Sequence, residues 1–148
     1  MSDEAFFDTN IIAYSFDRSV PSKRRACKRL VKAVYDGELK GHLSNQILAE
    51  LFVVLTSKVG NPLSPQKASA IVEGFAGSPA WKAADYRTAT VRQAAADSAT
   101  TKAPFWDLLI AETMREAGVK RIYTENVRDF ARVPWVDAVD PMREGTSA

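Results

Sequence analysis

The sequence predicts an α/β protein with a central parallel β-sheet and helices on both of its faces. Short apolar runs alternate along the chain with longer segments whose apolar residues recur at helical spacing, which is the pattern of strand–helix–strand units. The first run, AFF at 5–7, lacks polar alternation and is therefore typical of a parallel strand that is buried on both faces. In such open sheets, ligand sites form at the carboxyl ends of the strands.

Capping and breaking residues set the bounds of the later elements. The segment Ser22–Asp36 carries apolar residues on one face and Lys and Arg on the other, so it predicts an amphipathic helix. Ser44 or Asn45 can cap the helix through QILAELFVVLTSK, whose apolar residues nearly encircle it and predict deep burial. Pro65 and Pro104 suit a first helical turn, where proline loses no needed hydrogen bond. The predicted elements are a strand within 5–16 that ends in a polar turn at 8–10, helices over 22–36, 44–58, 65–75, 86–98 (capped by Asp85) and 104–117, strands over 41–44, 80–84, 120–123 and 135–139, and a loop or short turn over 124–130.

Composition narrows the class of protein. The 148 residues predict a single domain over 1–148 with a loose tail from about 143, and 20 Lys and Arg against 18 Asp and Glu give a net charge of +2, too small to indicate a nucleic-acid binder by charge alone. Cys27 is the only cysteine and His42 the only histidine, which excludes a disulfide framework and histidine-rich or multi-cysteine metal sites. The chain lacks a long apolar run and a basic start of signal-peptide type, so we expect a cytoplasmic protein with no membrane contact.

Three carboxylates occupy positions that simple solvation does not explain. Asp8 follows the first buried strand, Glu50 lies within the apolar segment LAELFVVL, and Asp107 stands near the start of the helix PFWDLLIA. Taken alone, each has a structural interpretation: a turn cap for Asp8, a buried arginine partner for Glu50, and a favourable helix N-terminus for Asp107. Taken together they suggest a site, because the predicted fold brings the end of the first strand and the nearby helix starts to one edge of the sheet.

Carboxylates that converge at one edge require a counter-ion. They repel one another and raise one another's pKa unless a cation neutralises them. Mg²⁺ is a hard cation that takes oxygen ligands and keeps bound waters, so it is the natural partner. An ion held in this way lowers the pKa of a bound water and stabilises charge on a phosphate, which is the chemistry of phosphodiester hydrolysis.

Four ordered motifs give the chain a family resemblance that covers nearly its whole length. DTN after an apolar strand is common by itself, but its combination with a buried Glu in QILAE, then FWDLLIA and then YTEN is specific. On these motifs the sequence resembles the PIN-domain ribonucleases, and most closely the VapC toxins of bacterial toxin–antitoxin pairs. The matching segments are FFDTNIIAY, LSNQILAELFVVLTSK, PFWDLLIAETMREAG and RIYTENVRDF.

The resemblance assigns roles residue by residue. It implies that Asp8, Glu50 and Asp107 are the catalytic, metal-binding carboxylates, that Thr9 and Asn10 shape the turn, and that Thr124 supports the far side of the site. Relatives usually place a fourth acid where this chain has Asn126, which offers a neutral oxygen but no charge, so a second metal should bind more weakly. Asp129 is the candidate substitute for that acid, and Glu125 is expected to point away. One metal and two metals are both compatible with this set.

The resemblance also implies a function and partners. It suggests a Mg²⁺-dependent endoribonuclease, with Mn²⁺ able to substitute, that blocks translation by cutting tRNA, rRNA or mRNA, and that leaves 5′-phosphate and 3′-hydroxyl ends. It further implies a homodimer and a VapB-like antitoxin that covers the acidic site. Two alternatives stay open: a PIN nuclease of RNA processing without an antitoxin, and a non-catalytic PIN-like module that binds RNA or protein, which the loss of an acid at Asn126 favours.

Basic and aromatic residues flank the acidic motifs. Arg18, Lys58, Lys102 and Arg128 are candidate contacts for RNA phosphates, because cations near the site would offset the repulsion between RNA and the carboxylates. The competing interpretation is that they are ordinary solvated charges. Trp106 could stack on a base, but an aromatic residue at the start of a buried helix more often packs in the core, and we expect it to be buried.

Overall fold

Five parallel strands form one sheet at the centre of the structure, which is a computed structural model describing residues 3–143. The sheet is flanked by helices, and the predicted α/β fold class is confirmed. The strands are β1 (Asp3–Phe7), β2 (Leu39–Ser44), β3 (Trp81–Ala84), β4 (Arg121–Tyr123) and β5 (Asp137–Val139). The helices are α1 (Thr9–Tyr14), α2 (Pro21–Tyr35), α3 (Asn45–Ser57), α4 (Pro65–Gly77), α5 (Thr88–Asp97), α6 (Phe105–Ala117) and α7 (Val127–Phe130).

The order of the strands places a crevice beside β1. In the sheet the strands lie in the order β3-β2-β1-β4-β5. The strands β2 and β3, which follow β1 in sequence, therefore lie on one side of it, and β4 and β5 lie on the other side. The register pairs Phe6 with Ile122 and Phe7 with Tyr123. Because ligands in open parallel sheets bind at the carboxyl ends of strands where the order reverses, the ends of β1 and β4 are the expected location of a site.

The segment after β1 differs from its sequence-based prediction. We predicted a strand within 5–16 that ends in a polar turn, but the strand ends at Phe7 and Thr9–Tyr14 forms the helix α1. Asp8 is the N-cap of this helix, and its side chain accepts a hydrogen bond from the Thr9 backbone N–H. A helix of 6 residues is too short to establish a helical period, and its isoleucine pair resembles a buried strand equally well.

A second difference concerns the start of α5. Asp85 was expected to cap this helix, but the helix begins at Thr88 and Arg87 is its N-cap residue. Two hydrogen bonds explain the shift: the Tyr86 backbone N–H donates to Asn45 Oδ1 at 3.0 Å, and the Arg87 N–H donates to Thr90 Oγ1 at 3.0 Å. The predicted loose tail, from about 143 onward, lies outside the described residues apart from Arg143 itself.

The main hydrophobic core packs the helices against the sheet. Many of its largest side chains are fully buried and come from β1, α1 and α3, among them Phe6, Phe7, Ile11 and Leu51, and α7 adds Phe130. Only the side of α3 that faces this core is as deeply buried as we predicted. Val53, on another side of the helix, is 52% exposed. Across residues 3–143 no helix combines the length and apolar character that crossing a membrane requires.

Gly41 in β2 provides a test of this packing. A Cβ atom built there would lie 2.6 Å from the Trp81 ring and 2.9 Å from Val34, so Gly41→Ala should lower the free energy of unfolding by about 1–2 kcal/mol through overpacking. Gly74→Ala is the matched control, because a Cβ there meets nothing within 4 Å and alanine favours the helix. Chemical denaturation of both variants measures the difference, and equal stability would contradict the packing around Gly41.

Candidate active site

Asp8 stands at the carboxyl end of β1, where the chain turns into α1. Its side chain is 8% exposed, and its backbone N–H donates to Tyr123 O at 2.9 Å, which joins it to the end of β4. Oδ1 accepts from Thr9 N at 2.8 Å and Oδ2 accepts from Thr124 Oγ1 at 2.7 Å. Burial raises the pKa of Asp8 more than these two hydrogen bonds lower it.

Thr124 connects the end of β4 to this carboxylate. Its side chain is fully buried, and besides donating to Asp8 its hydroxyl oxygen accepts the backbone N–H of Asn126 at 2.9 Å. The hydroxyl therefore both donates and accepts, which fixes the rotamer of Thr124 and the orientation of Asp8. Thr124 therefore lies directly beside Asp8.

Asp107 lies in the first turn of α6 and belongs to the same cluster. Its pKa is raised to about 7, first by burial and then by the negative charges of Asp8, Asp129 and Glu50. The amide Nδ2 of Asn126 donates to Asp107 Oδ2 at 3.2 Å. Asn126, where the resemblance leads us to expect an acid, thus gives Asp107 a hydrogen-bond donor where a carboxylate would repel it.

Glu50 on α3 completes the group of three carboxylates. Burial raises its pKa, and the charge of Asp8 raises it further. Its Oε1 is buried and has no hydrogen-bond partner among the residues that the structure describes. Within residues 3–143, no arginine therefore pairs with Glu50, and the structural interpretation of Glu50 as the partner of a buried arginine is not supported.

The two acidic residues of the YTENVRD segment are directed to different places. Asp129 on α7 is close enough for its charge to raise the pKa of Asp107. Glu125 instead accepts hydrogen bonds from Tyr14 Oη at 2.8 Å and Lys23 Nζ at 2.7 Å, away from the carboxylate cluster. Asn10 holds this segment, because its Oδ1 accepts the Glu125 backbone N–H at 3.2 Å.

The donor chemistry of the cluster suits a divalent cation. Within residues 3–143, no three Asp, Glu, His or Cys side chains lie close enough together to hold one ion as they stand. The charge of Asp8 nevertheless raises the pKa of both Glu50 and Asp107, and Glu50 Oε1 is buried without a hydrogen-bond donor, so the described residues offset the negative charge of the cluster only in part. Each Asp8 oxygen accepts a single hydrogen bond and keeps a second lone pair for a ligand. These residues therefore fit a hard cation that takes oxygen ligands.

The four basic candidates are all exposed. Arg18, Lys58, Lys102 and Arg128 make no ion pair with any part of the chain between residues 3 and 143. Lys58, at the C-cap of α3, is close enough for its charge to lower the pKa of Glu50. Among residues 3–143, no hydrogen bond or ion pair joins the other three to the carboxylates.

Beside Glu50 the structure reveals a pocket that the sequence did not predict. Its volume is about 370 Å³, and it is lined by Asn45, Gln46, Ala49, Glu50, Tyr86 and Trp106. The prediction that Trp106 is a core residue is wrong, since its side chain is 60% exposed. Sequence reasoning also missed Gln46, although a polar residue one turn before Glu50 on a helix predicted to be buried was a usable signal.

Comparison with known proteins agrees with this architecture. A family model described as PIN domain matches residues 5–136. No match was found among the curated proteins. Among solved structures, the fold is similar to that of the Mycobacterium tuberculosis toxin VapC20, which cleaves the sarcin-ricin loop, with a TM-score of 0.68 and 16% identity over 87% of this chain and 95% of that chain.

Two further solved structures have the same fold. A toxin–antitoxin complex from Klebsiella pneumoniae matches with a TM-score of 0.65 and 21% identity, over 93% of this chain and 97% of that chain. VapBC2 from Rickettsia felis, bound to a DNA fragment from its promoter, matches with a TM-score of 0.64 and 19% identity. The match covers 93% of this chain and 99% of that chain. The resemblance inferred from the motifs is therefore confirmed at the level of fold.

Proposed function

This chain belongs to the PIN-domain family, and on that premise we propose that it is a Mg²⁺-dependent endoribonuclease formed by one PIN domain over residues 1–148. The observation that carries the proposal is the group Asp8, Glu50 and Asp107, in which the charge of Asp8, at the carboxyl end of β1, raises the pKa of the other two carboxylates. Such a group is costly to maintain in a fold unless it binds a cation, and hard oxygen donors favour Mg²⁺ or Mn²⁺.

The roles of the carboxylates follow from their surroundings. Asp8 and Asp107 would hold the ion, because both are anchored by hydrogen bonds to the end of the sheet, Asp8 by Thr124 and Asp107 by Asn126. Glu50 has a raised pKa and an oxygen without a donor, which suits it to orient or deprotonate the attacking water. When bound, the ion would supply a more acidic water and stabilise charge on the phosphate.

The supporting residues fix the geometry of the ligands. Thr9 contributes its backbone N–H to Asp8, and Asn10 ties the YTEN segment to the start of α1. Asn126 and Asp129 border Asp107 and are the candidates for completing the coordination of one or two ions. Hydrolysis at such a site would leave 5′-phosphate and 3′-hydroxyl ends.

We further propose the biological setting of a toxin. The solved structures similar to this chain include toxin–antitoxin complexes, which supports a VapB-like antitoxin as its protein partner. In this setting the substrate is RNA, its cleavage inhibits translation, and the protein acts in the cytoplasm as a homodimer. Arg18, Lys58, Lys102 and Arg128 are exposed without ion-pair partners in the described part of the chain, and would contact RNA phosphates.

Digestion of purified total RNA tests the proposed function. Antitoxin-free protein is incubated with Mg²⁺, with Mn²⁺ or with EDTA, beside an Asp8→Asn variant, and the new RNA ends are sequenced. We expect discrete cuts that require both the metal and Asp8. If folded, antitoxin-free protein cuts no class of RNA, the nuclease proposal is wrong and the non-catalytic binding module is favoured.

Asn126→Asp should restore the acid that relatives carry. A carboxylate near Asp107 adds charge to the cluster, so we expect Mn²⁺ to bind about 10-fold more tightly and, in EDTA at pH 8, the free energy of unfolding to fall by about 1 kcal/mol. Calorimetric titration and thermal unfolding measure the two effects. Asn126→Ala is the control, because it removes the amide without adding charge. Weaker Mn²⁺ binding by Asn126→Asp would show that position 126 does not face the ion.

A further inference from the structure

We propose that the pocket between α3, Tyr86 and the start of α6 binds one unpaired nucleobase of the substrate, next to the bond that is cut. This inference rests on the proposed nuclease function and names what its site recognises. The pocket has a volume of about 370 Å³, within the range of roughly 300–1,000 Å³ that is usual for small-ligand sites. Glu50 lines it, so an occupant reaches directly to the carboxylate cluster.

Trp106 supplies the first aromatic surface of the pocket. It is 60% exposed, although indole is among the largest apolar groups, and it immediately precedes Asp107. Its ring is supported edge to face by Phe105 with a centroid distance of 5.5 Å, and its carbonyl oxygen accepts a hydrogen bond from Gln46 Nε2 at 3.0 Å. The backbone of Trp106 is therefore anchored to α3, and its exposed indole lies beside the site with one edge contact to Phe105.

Tyr86 supplies the second aromatic surface, and α3 positions it. Asn45 Oδ1 accepts the backbone N–H groups of both Gln46 and Tyr86, each at 3.0 Å. This shared acceptor fixes Tyr86, two residues before the start of α5, against the first turn of α3. Two aromatic side chains thus line a pocket whose other lining residues are Asn45, Gln46, Ala49 and Glu50.

Gln46 provides the polar feature that points to a ligand. Its side chain is 5% exposed and lines the pocket, and its Oε1 is buried with no hydrogen-bond partner among the described residues. A buried acceptor without a donor is unfavourable, so a ligand that brings an N–H group is favoured. Every nucleobase carries such a donor, as an exocyclic amino group or a ring N–H.

The combination of features favours a base that is unstacked and single-stranded. Proteins that recognise RNA loops and single strands stack bases on aromatic side chains and satisfy their polar edges with side-chain amides. A base between Tyr86 and Trp106 would place its own sugar and phosphate beside Glu50 and Asp107. The pocket would thereby select looped or unpaired RNA and align the scissile phosphate.

Binding of short RNA strands to an Asp8→Asn variant tests the pocket without cleavage. The probes are ten-nucleotide strands of adenosine and of uridine, and the same strands with a central abasic nucleotide. Loss of one base stack predicts that Trp106→Ala in the Asp8→Asn background binds the intact strands about 5- to 150-fold more weakly. Tyr86→Ala should act in the same direction. Tyr35→Ala is the matched control, because Tyr35 is 54% exposed and lies outside the pocket.

Intrinsic fluorescence gives a readout that does not depend on a destabilising variant. Trp81 is 5% exposed, and the indole N–H of Trp135 donates a hydrogen bond to the Ala111 carbonyl. Bound RNA is therefore expected to quench mainly the fluorescence of Trp106, and Trp106→Phe should remove this quenching. Unchanged affinity in Trp106→Ala together with unquenched fluorescence overturns the proposal. So does a variant that binds RNA normally and loses only antitoxin binding, which would make the pocket a protein subsite.

A separate digestion of total RNA by the wild-type protein keeps the two proposals apart. If the wild type cuts RNA but the binding variants behave like the control, the base pocket is wrong and the nuclease stands. If RNA stays uncut while Trp106→Ala in the Asp8→Asn background binds the intact strands weakly as expected, the nuclease proposal is wrong and the base pocket stands.

Discussion

Replacing Asp107 with asparagine is expected to abolish metal-dependent RNA cleavage and, in the absence of divalent ions, to make the folded protein more stable. Activity should fall by at least about 1,000-fold, because the variant loses a charged ligand of the proposed ion and the electrostatic stabilisation that depends on it. The fold should be retained, since asparagine has nearly the same shape and can still accept the hydrogen bond from Asn126 Nδ2.

The gain in stability has a defined pH dependence. The pKa of Asp107 is about 7 in the folded protein, against about 4 for an unperturbed aspartate, so the folded state disfavours the ionised form. The wild type therefore loses stability as the pH rises from about 4 to about 7, and the loss is complete above that range. Asp107→Asn avoids it, and we expect a gain of about 2 kcal/mol at pH 8 after allowing for solvent screening of this partly exposed group. The gain should vanish near pH 4.

Chemical denaturation in EDTA at pH 4 and pH 8 measures this effect. Glu73→Gln removes a charge from an exposed position on α4 and serves as the control that should change neither stability nor activity. Divalent ions should stabilise the wild type more than Asp107→Asn, because only the wild type keeps the full set of ligands. An Asp107→Asn variant with normal cleavage would show that the ion is held elsewhere.

Replacing Thr124 with valine is expected to produce the second large effect, a loss of about 3 kcal/mol in the free energy of unfolding at pH 8. The substitution keeps the shape but removes the donor to the buried Asp8 Oδ2 and the acceptor of the Asn126 N–H. Without that donor the pKa of Asp8, already raised by burial, rises further. The ionisation part of the loss is therefore present at pH 8 and absent below pH 4, where a loss of about 1 kcal/mol remains.

Thr113→Val is the matched control for Thr124→Val. Thr113 is nearly as deeply buried, and its hydroxyl donates to the neutral Leu109 carbonyl within α6 at 2.9 Å. Loss of this hydroxyl should therefore cost about 1 kcal/mol or less at either pH. Cleavage should fall about 10- to 100-fold in Thr124→Val and remain normal in Thr113→Val. Equal pH profiles for the two variants would contradict the role of Thr124 in holding Asp8.

The larger elements of the fold were predictable because local signals agree with the final packing. The Ser44 cap before α3 is used as predicted, since its hydroxyl accepts the Ile47 N–H, and Gly118 ends α6 with a positive φ of 72°. The helix α1 was not predictable from its pattern, because Asp8 is both the end of a strand and a helix cap. The start of α5 depends on Asn45, which is distant in sequence, so a local rule placed it wrongly at Asp85.

The carboxylates of the candidate site could be predicted from the sequence, but the pocket beside them could not. Asp8, Glu50 and Asp107 were recognisable as carboxylates in otherwise apolar segments, and the structure brings their charges together. Trp106 follows the helical spacing of the core residue Ile110, which predicts burial, yet the first turn of α6 borders an open pocket. Which face of a terminal turn is covered depends on neighbouring elements, and a single sequence does not contain that information.

The central claim is that this carboxylate cluster hydrolyses RNA with the help of a divalent ion, and the chemistry of the product ends tests it most directly. RNA cut by the wild type should carry 5′-phosphate and 3′-hydroxyl ends, detected by ligation of adapters that require those groups, and neither EDTA-treated protein nor Asp8→Asn should produce them. Cuts that persist in EDTA or in Asp8→Asn, or that leave 2′,3′-cyclic phosphates, would contradict the account.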